Sequence, residues 1–135
     1  MMTLKEVNSF MKNTLGETLG MEITRCDKGL VEITMPVDHR THQPLGLLHG
    51  GASVALAETV ASIGGMVLVY EENKAVVGVE INANHMKSIK TGTVKATGSI
   101  LHQGKTTQVW EIRITDEKNR LICISRCTLA VVPMG

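Results

Sequence analysis

HQPLGLLHGGASVALAETVASIGG, running from His42 to Gly65, is the stretch that decides how the rest of the chain must fold. From Gly50 to about Glu72 the residues are small or apolar, with helical rather than strand-like length. Glu58 interrupts the run. It also falls short of the roughly 20 uninterrupted apolar residues that a membrane span needs. The reading is therefore a buried helix of a globular core, apolar on every side and in need of wrapping by other elements. Ala52, Ala55, Ala57, Ala61, Gly64 and Gly65 keep that rod thin, so neighbouring backbone can approach closely.

Outward from this helix, the sequence predicts strands. Val31, Ile33, Met35 and Val37 alternate with Glu32, Thr34 and Pro36, the period of a half-buried strand. Met21–Cys26 precedes it across the turn signal Asp27-Lys28-Gly29, giving a hairpin. After the helix come four strand-like runs: Ala75–Lys87, Thr93–His102, Thr106–Thr115 and Leu121–Val132. At the N-terminus Thr3 and Glu6 have capping-box spacing. Leu4, Val7, Phe10 or Met11, and Leu15 then follow at helical intervals, with Gly16 as the stop. Clustered strands of this kind favour an antiparallel sheet. The expected fold class is α+β, one curved antiparallel sheet around one long central helix. At 135 residues the chain is a single domain, 1–135.

Composition removes several functions. A net charge of +1 provides no broad basic surface for nucleic acid or an acidic membrane, and 2% aromatic residues provide no base-stacking platform. Cys26, Cys123 and Cys127 have neither zinc nor redox spacing. An odd cysteine count without a signal peptide predicts reduced thiols and a cytoplasmic protein. Four residues apart in a strand-like run, Cys123 and Cys127 share a sheet face as core thiols.

Glu58 then becomes the question, because a charge inside an apolar helix needs a partner or a task. Ser62, four residues on, shares its face, so the hydroxyl can hold the carboxylate. This is either a serine satisfying an acid or a positioned nucleophile or general base. At the helix start, the N–H groups near Gly50 and Gly51 point out of the first turn, where with the helix dipole they attract a carbonyl oxygen or oxyanion. His49 beside them is either a cap neighbour or a further donor. Gln43, in the loop, is either solvated or binds an acyl carbonyl or a water. His85 closes VVGVEINANH. By period two it shares a face with Val77, Val79, Ile81 and Ala83, pointing to core or cleft. His42 and His102 carry no comparable argument. The histidines and the acid lack metal-ligand spacing such as H-E-x-x-H, so no metal is expected.

Distance imposes one more requirement. Glu58 lies about 12 Å along the axis from Gly50, at 1.5 Å per residue. It cannot easily attack a carbonyl held at the start of its own helix. Two chains related by a two-fold, with antiparallel helices, would bring each acid to the other chain's helix start. The site is therefore expected to be shared between chains.

QPLGLLHGGASVALAE, GVEINANH and SRCTLAVV together resemble the hotdog-fold acyl-CoA thioesterases. The closest likeness is to the 4-hydroxybenzoyl-CoA thioesterase type with a helix glutamate. Within it stand the dihydroxynaphthoyl-CoA hydrolases of menaquinone synthesis and the enterobactin-pathway proofreading thioesterases. The resemblance runs from about Met35 to Val132. It implies that Glu58 attacks the thioester carbonyl or activates water, that the Gly50 N–H and His49 polarise that carbonyl, and that Gln43 and Ser62 assist. It places His85, and with it Gly51, at the thioester or pantetheine. Where relatives often carry an arginine after the histidine, this chain has HMKSIK. Lys87, Ser88 and Lys90 then stand as phosphate donors for coenzyme A, or as a solvated strand end.

The implied activity is hydrolysis of an acyl-CoA, with an aromatic acyl group and dihydroxynaphthoyl-CoA first, or of an acyl-carrier-protein thioester. Coenzyme A belongs to the substrate, and no cofactor is implied. The implied assembly is a homodimer, commonly paired into a homotetramer. Two other readings use the same residues: an acyl-thioester dehydratase or hydratase, and a non-catalytic acyl-CoA-binding module.

Overall fold

The apolar run forms helix α3, Gly50–Val69, extended by one 3-10 turn at Tyr70–Glu72. A computed structural model describes residues 1–135. By length and composition alone α3 would qualify as a membrane span, with a mean hydropathy of 1.7 over its most apolar stretch. Over half of that stretch is instead buried against protein, as befits the axis of a core.

Six strands wrap it: β1 (Glu22–Asp27), β2 (Leu30–Pro36), β3 (Lys74–His85), β4 (Thr93–Gln103), β5 (Thr107–Thr115) and β6 (Leu121–Pro133). All neighbours are antiparallel, in the order β1-β2-β4-β5-β6-β3. After α3 the chain enters β3 at the far edge and returns through β4, which pairs with β2. This is the curved sheet around a central helix that the strand pattern predicts. Val31, Ile33, Met35 and Val37 are all buried, as their alternation requires. Gly29, with φ +87°, makes the β1–β2 turn that a side chain would strain.

The thin rod has a visible consequence. A Cβ on Gly64 would collide with the ring of Trp110, and one on Gly98 of β4 with Val60 of α3. Trp110 is fully buried, and its Nε1 donates to Gln108 Oε1 at 2.9 Å. Gln108, also fully buried, donates to the Gly65 carbonyl. The largest core side chain is thus satisfied by a polar contact that ties sheet to helix. Cys123 and Cys127 are buried on one face of β6 as free thiols.

Two expectations are corrected. The N-terminal helix does not run to Leu15. It splits into α1 (Leu4–Ser9), capped by Thr3 accepting from the Glu6 N–H, and α2 (Leu15–Thr18). Asn13 adopts a left-handed conformation between them, and Gly16 lies inside α2 instead of ending a helix. Val7 and Met11 reach the core, while Phe10 and Leu15 stay exposed. The second correction concerns β3. A bulge between Gly78 and Glu80 shifts its register against β6. The faces exchange there: Val76, Ile81 and Ala83 pack on the core, while Val77 and Val79 are exposed.

Candidate active site

His49 has extended backbone (φ −68°, ψ 128°), and its Nδ1 accepts the Gly51 N–H at 2.8 Å. It is the N-cap of α3. Its ring lies so close over Gly51 that a Cβ there would stand 2.8 Å from Cε1. Because Nδ1 accepts, the hydrogen of the neutral ring is on Nε2. The Gly51 N–H is thus spent on the cap and is not a free oxyanion donor. The Gly50 N–H, by contrast, belongs to the first turn and has no helical acceptor.

Gly50 must be glycine for a reason outside the helix. A Cβ there would stand 2.9 Å from His85 Nε2. The imidazole therefore lies directly against bare backbone at the helix start. It gets there because His85 ends β3, opposite Cys123 of β6, on the face that the bulge sets.

Gln43 is held by its own loop. Its N–H donates to the Leu47 carbonyl and its carbonyl accepts from Gly46, which sits at φ +76°. Its side-chain Oε1 accepts from the N–H groups of Leu45 and Leu47. The amide oxygen is thus occupied, and Nε2 remains as a donor. The loop is fixed to its surroundings by the His49 N–H to the Thr41 carbonyl and the Leu48 N–H to the Ile89 carbonyl, each 2.8 Å.

These elements enclose a cleft of about 250 Å³. Five residues singled out from the sequence line it: Gln43, Gly50, His85, Lys87 and Ser88. Leu48, Met86 and Ile122 supply apolar wall. Sequence reasoning missed Ser53, which also lines it. The available signal was a lone hydroxyl three residues past Gly50 in an otherwise apolar turn.

Five other residues lie elsewhere. His49 and Gly51 border a separate depression with Leu19, Ala52 and Ala55. Lys90 lies outside the cleft, its carbonyl accepting from His42 Nε2 at 2.7 Å, and it lines a separate depression with Asp116 and Arg120. Glu58 is half-buried two turns along α3, and no hydrogen bond joins it to Ser62 despite their shared face. Its carboxylate instead lies against β3: a Cβ on Gly78 would stand 2.6 Å from Oε2. Burial, and next the Glu58 charge, push the Cys127 thiol up to about 11. Gly78 is thus a seat for the acid, which a glycine interrupting a strand pattern could have disclosed.

The separation is the main geometric result. Gly78 lies near the middle of β3 and His85 at its end, roughly 23 Å apart at ~3.3 Å per residue. Within one chain the acid and the cleft do not meet. What β3 offers instead is its free side, since it is an edge strand of 12 residues bearing exposed Val77 and Val79.

Comparison with known proteins gives a consistent picture. The profile of the thioesterase superfamily (4HBT) matches residues 45–123. A 1,4-dihydroxy-2-naphthoyl-CoA hydrolase of Listeria monocytogenes is 53% identical over 87% of this chain and 94% of its own length. The proofreading thioesterase EntH of Cronobacter turicensis is 50% identical over 97% of this chain and 95% of its own. The crystal structure of the Haemophilus influenzae thioesterase HI1161 superposes with a TM-score of 0.95 at 46% identity, covering 99% of this chain and 93% of that one.

Proposed function

This chain belongs to the thioesterase superfamily, and on that premise we propose that it hydrolyses an aromatic acyl-CoA at a site shared between two copies. Its fold is the hotdog fold and its reaction is thioester hydrolysis. The substrate proposed first is 1,4-dihydroxy-2-naphthoyl-CoA in cytoplasmic menaquinone synthesis. The name of the Listeria relative supports that choice. Carrier-protein thioesters are the comparison to run beside it.

The observation that carries the shared site is the position of the Glu58 carboxylate against Gly78, in the middle of an unpaired edge strand, and of His85 at that strand's end. If β3 pairs antiparallel with its own copy about a two-fold near Ile81 and Asn82, Gly78 of one chain comes opposite His85 of the other. The acid of each chain then faces the other's cleft. The pairing also satisfies the open backbone groups of the edge and covers Val77 and Val79. Homodimers are the minimal unit of this proposal, and their pairing into tetramers is the assembly the family resemblance supports.

In this arrangement the thioester carbonyl oxygen accepts from the Gly50 N–H. The Glu58 carboxylate of the other chain attacks the carbonyl carbon and expels the coenzyme A thiolate, leaving a mixed anhydride that water then hydrolyses. Alternatively it takes a proton from an attacking water, and the tetrahedral intermediate expels the thiolate, which takes up that proton as the free acid leaves. The negative charge that develops on oxygen is stabilised by the amide and the helix dipole. Gln43 donates from Nε2, and His85 packs beside the thioester. His49 acts as a positioning residue that fixes the first turn. Ser62 is a candidate partner for the acid once substrate is bound. Lys87 and Ser88 lie at the cleft, where coenzyme A phosphates can meet them.

The test is thiol release from aromatic, medium-chain and long-chain acyl-CoAs, with carrier-protein thioesters alongside. An acyl-CoA without a β-hydroxyl should release thiol, which dehydration cannot produce. Glu58→Gln should lower kcat on the best substrate by about 10²–10⁴-fold, the range of a general base, with the fold intact by circular dichroism. Near-full activity in that variant would refute the assignment.

A further inference from the structure

Lys74 and Lys105 carry charges that nothing in the chain answers. The ion pairs belong to Arg25, His39, Arg40, Lys95 and Arg120, and neither lysine enters one. Both line a depression of about 320 Å³ at the start of β3. Val131, Val132 and Pro133 supply its apolar wall, with Glu72 and Thr106 beside them. Backbone bonds fix the frame: the Val131 N–H donates to the Thr106 carbonyl at 2.9 Å, and the Met134 N–H to the Asn73 carbonyl at 3.1 Å. An apolar wall with two free ammonium groups suits a ligand that is part flat ring and part phosphate.

The pairing of β3 with its own copy puts this depression beside the other chain's cleft. With Gly78 opposite His85, each step back toward the start of β3 matches a step onward in the other chain. Val76 then comes opposite Lys87, Ala75 opposite Ser88 and Lys74 opposite Ile89. The Met86 N–H still donates to the Ile122 carbonyl at 2.8 Å, so the chain keeps its line past the strand end. Lys87 and Ser88 line the cleft, which therefore runs from one chain toward the depression of the other. Lys74 stands four residues from Gly78, about 13 Å at ~3.3 Å per residue. The pantetheine arm of coenzyme A, from sulfur to diphosphate, has the length of about four extended residues, ~14 Å at ~3.5 Å each. We propose that Lys74 and Lys105 form a nucleotide subsite in trans, which makes the enzyme select coenzyme A thioesters over pantetheine thioesters that lack the nucleotide. A thioester held at Gly50 and His85 of one chain brings its diphosphate to Lys74 of the other. The adenine lies on the wall of Val131, Val132 and Pro133, and the 3′-phosphate meets Lys105. The proposal rests on the shared-site reading above and adds to it the residues that recognise the leaving group.

The experiment compares kcat/KM for benzoyl-CoA and benzoyl-pantetheine in the wild type and in a double variant, Lys74→Ala with Lys105→Ala. The wild type should prefer the coenzyme A ester by about 100-fold, roughly tenfold for each charged contact. The double variant should lose most of that preference through a raised KM for benzoyl-CoA. Its kcat, and its activity on the pantetheine ester, should stay within about twofold, because binding lost equally from ground and transition states leaves kcat unchanged. Mixed dimers show which chain the lysines serve. With Glu58→Gln on one chain and Gly50→Val on the other, the intact site takes its cleft from the first and its acid from the second. The lysine substitutions should raise KM when placed on the Gly50→Val chain and have no effect on the Glu58→Gln chain. The reverse, or a preference unchanged in the double variant, overturns the subsite and leaves the hydrolase reading standing. Calorimetry with adenosine 3′,5′-bisphosphate reads the subsite without turnover. The wild type should bind it and the double variant should bind it at least tenfold more weakly; equal binding, or none to the wild type, overturns the subsite. Release of thiol from no acyl-CoA at all overturns the hydrolase reading instead.

Discussion

Gly50 and His49 are adjacent, and the structure gives them opposite tasks. His49 spends its ring nitrogen on the Gly51 N–H, while Gly50 keeps its own N–H free and accepts an imidazole against its Cα. The variants should separate accordingly. Gly50→Ala places a methyl 2.9 Å from His85 Nε2, so the imidazole must shift from its place against the Gly50 N–H. Steady-state kinetics should show kcat/KM down about 100-fold or more, the usual cost of one misplaced oxyanion donor, with little change in Tm. His49→Ala removes a cap. It should cost about 1 kcal/mol, read by calorimetry as a fall in Tm of about 4 °C.

Among the elements, β3 does the most to define the site. Its bulge lets Gly78 receive the Glu58 carboxylate at mid-strand and still turns His85 inward at the end. Gly78→Ala should push the acid off its seat, lowering kcat at least tenfold with KM nearly unchanged. An equal fall in wild-type and Glu58→Gln backgrounds would show that Gly78 acts by another route. The loops have a pH signature of their own. Arg40 holds the Asp38 carboxyl down to about 2, chiefly through its side-chain hydrogen bonds. Asp116, its side chain buried, accepts the Arg120 and Lys118 N–H groups and pairs with the Arg120 guanidinium at 2.7 Å, and it too is lowered. A carboxyl that is more acidic folded than unfolded lends stability above its ordinary range and withdraws it as pH falls toward the folded value. Urea midpoints should therefore hold from neutrality to about pH 5 and decline between about pH 4 and 2. Asp38→Asn should flatten part of that decline.

At the scale of the whole molecule, activity should require two chains. Glu58→Gln and Gly50→Val chains are each expected to be inactive alone. In a dimer made of one of each, one site carries both lesions and the other carries none. Random co-assembly should restore about a quarter of wild-type activity, since half the dimers are mixed and each has one intact site. Co-expression followed by sedimentation and a thiol-release assay measures this. A site complete within one chain would give no recovery.

The sequence by itself determined the helix, the alternation of β2, the antiparallel class and most of the cleft. Those follow from local periodicity and from the few residue types that suit a helix start. Gln43 and Gly50, close in sequence, meet the distant His85 in one cleft. Tertiary structure alone decided what depends on a neighbour's geometry. The β3 bulge reversed the faces of Val77 and Val79, because one extra residue opposite β6 shifts the period without altering composition. The first helix ended at Ser9, and Asn13 turned left-handed before α2. His49 became the helix cap, its Nδ1 accepting the Gly51 N–H. Gly78 mattered only once folding set it beneath Glu58. Periodicity fixes which side of an element is buried, and packing fixes which atom waits there.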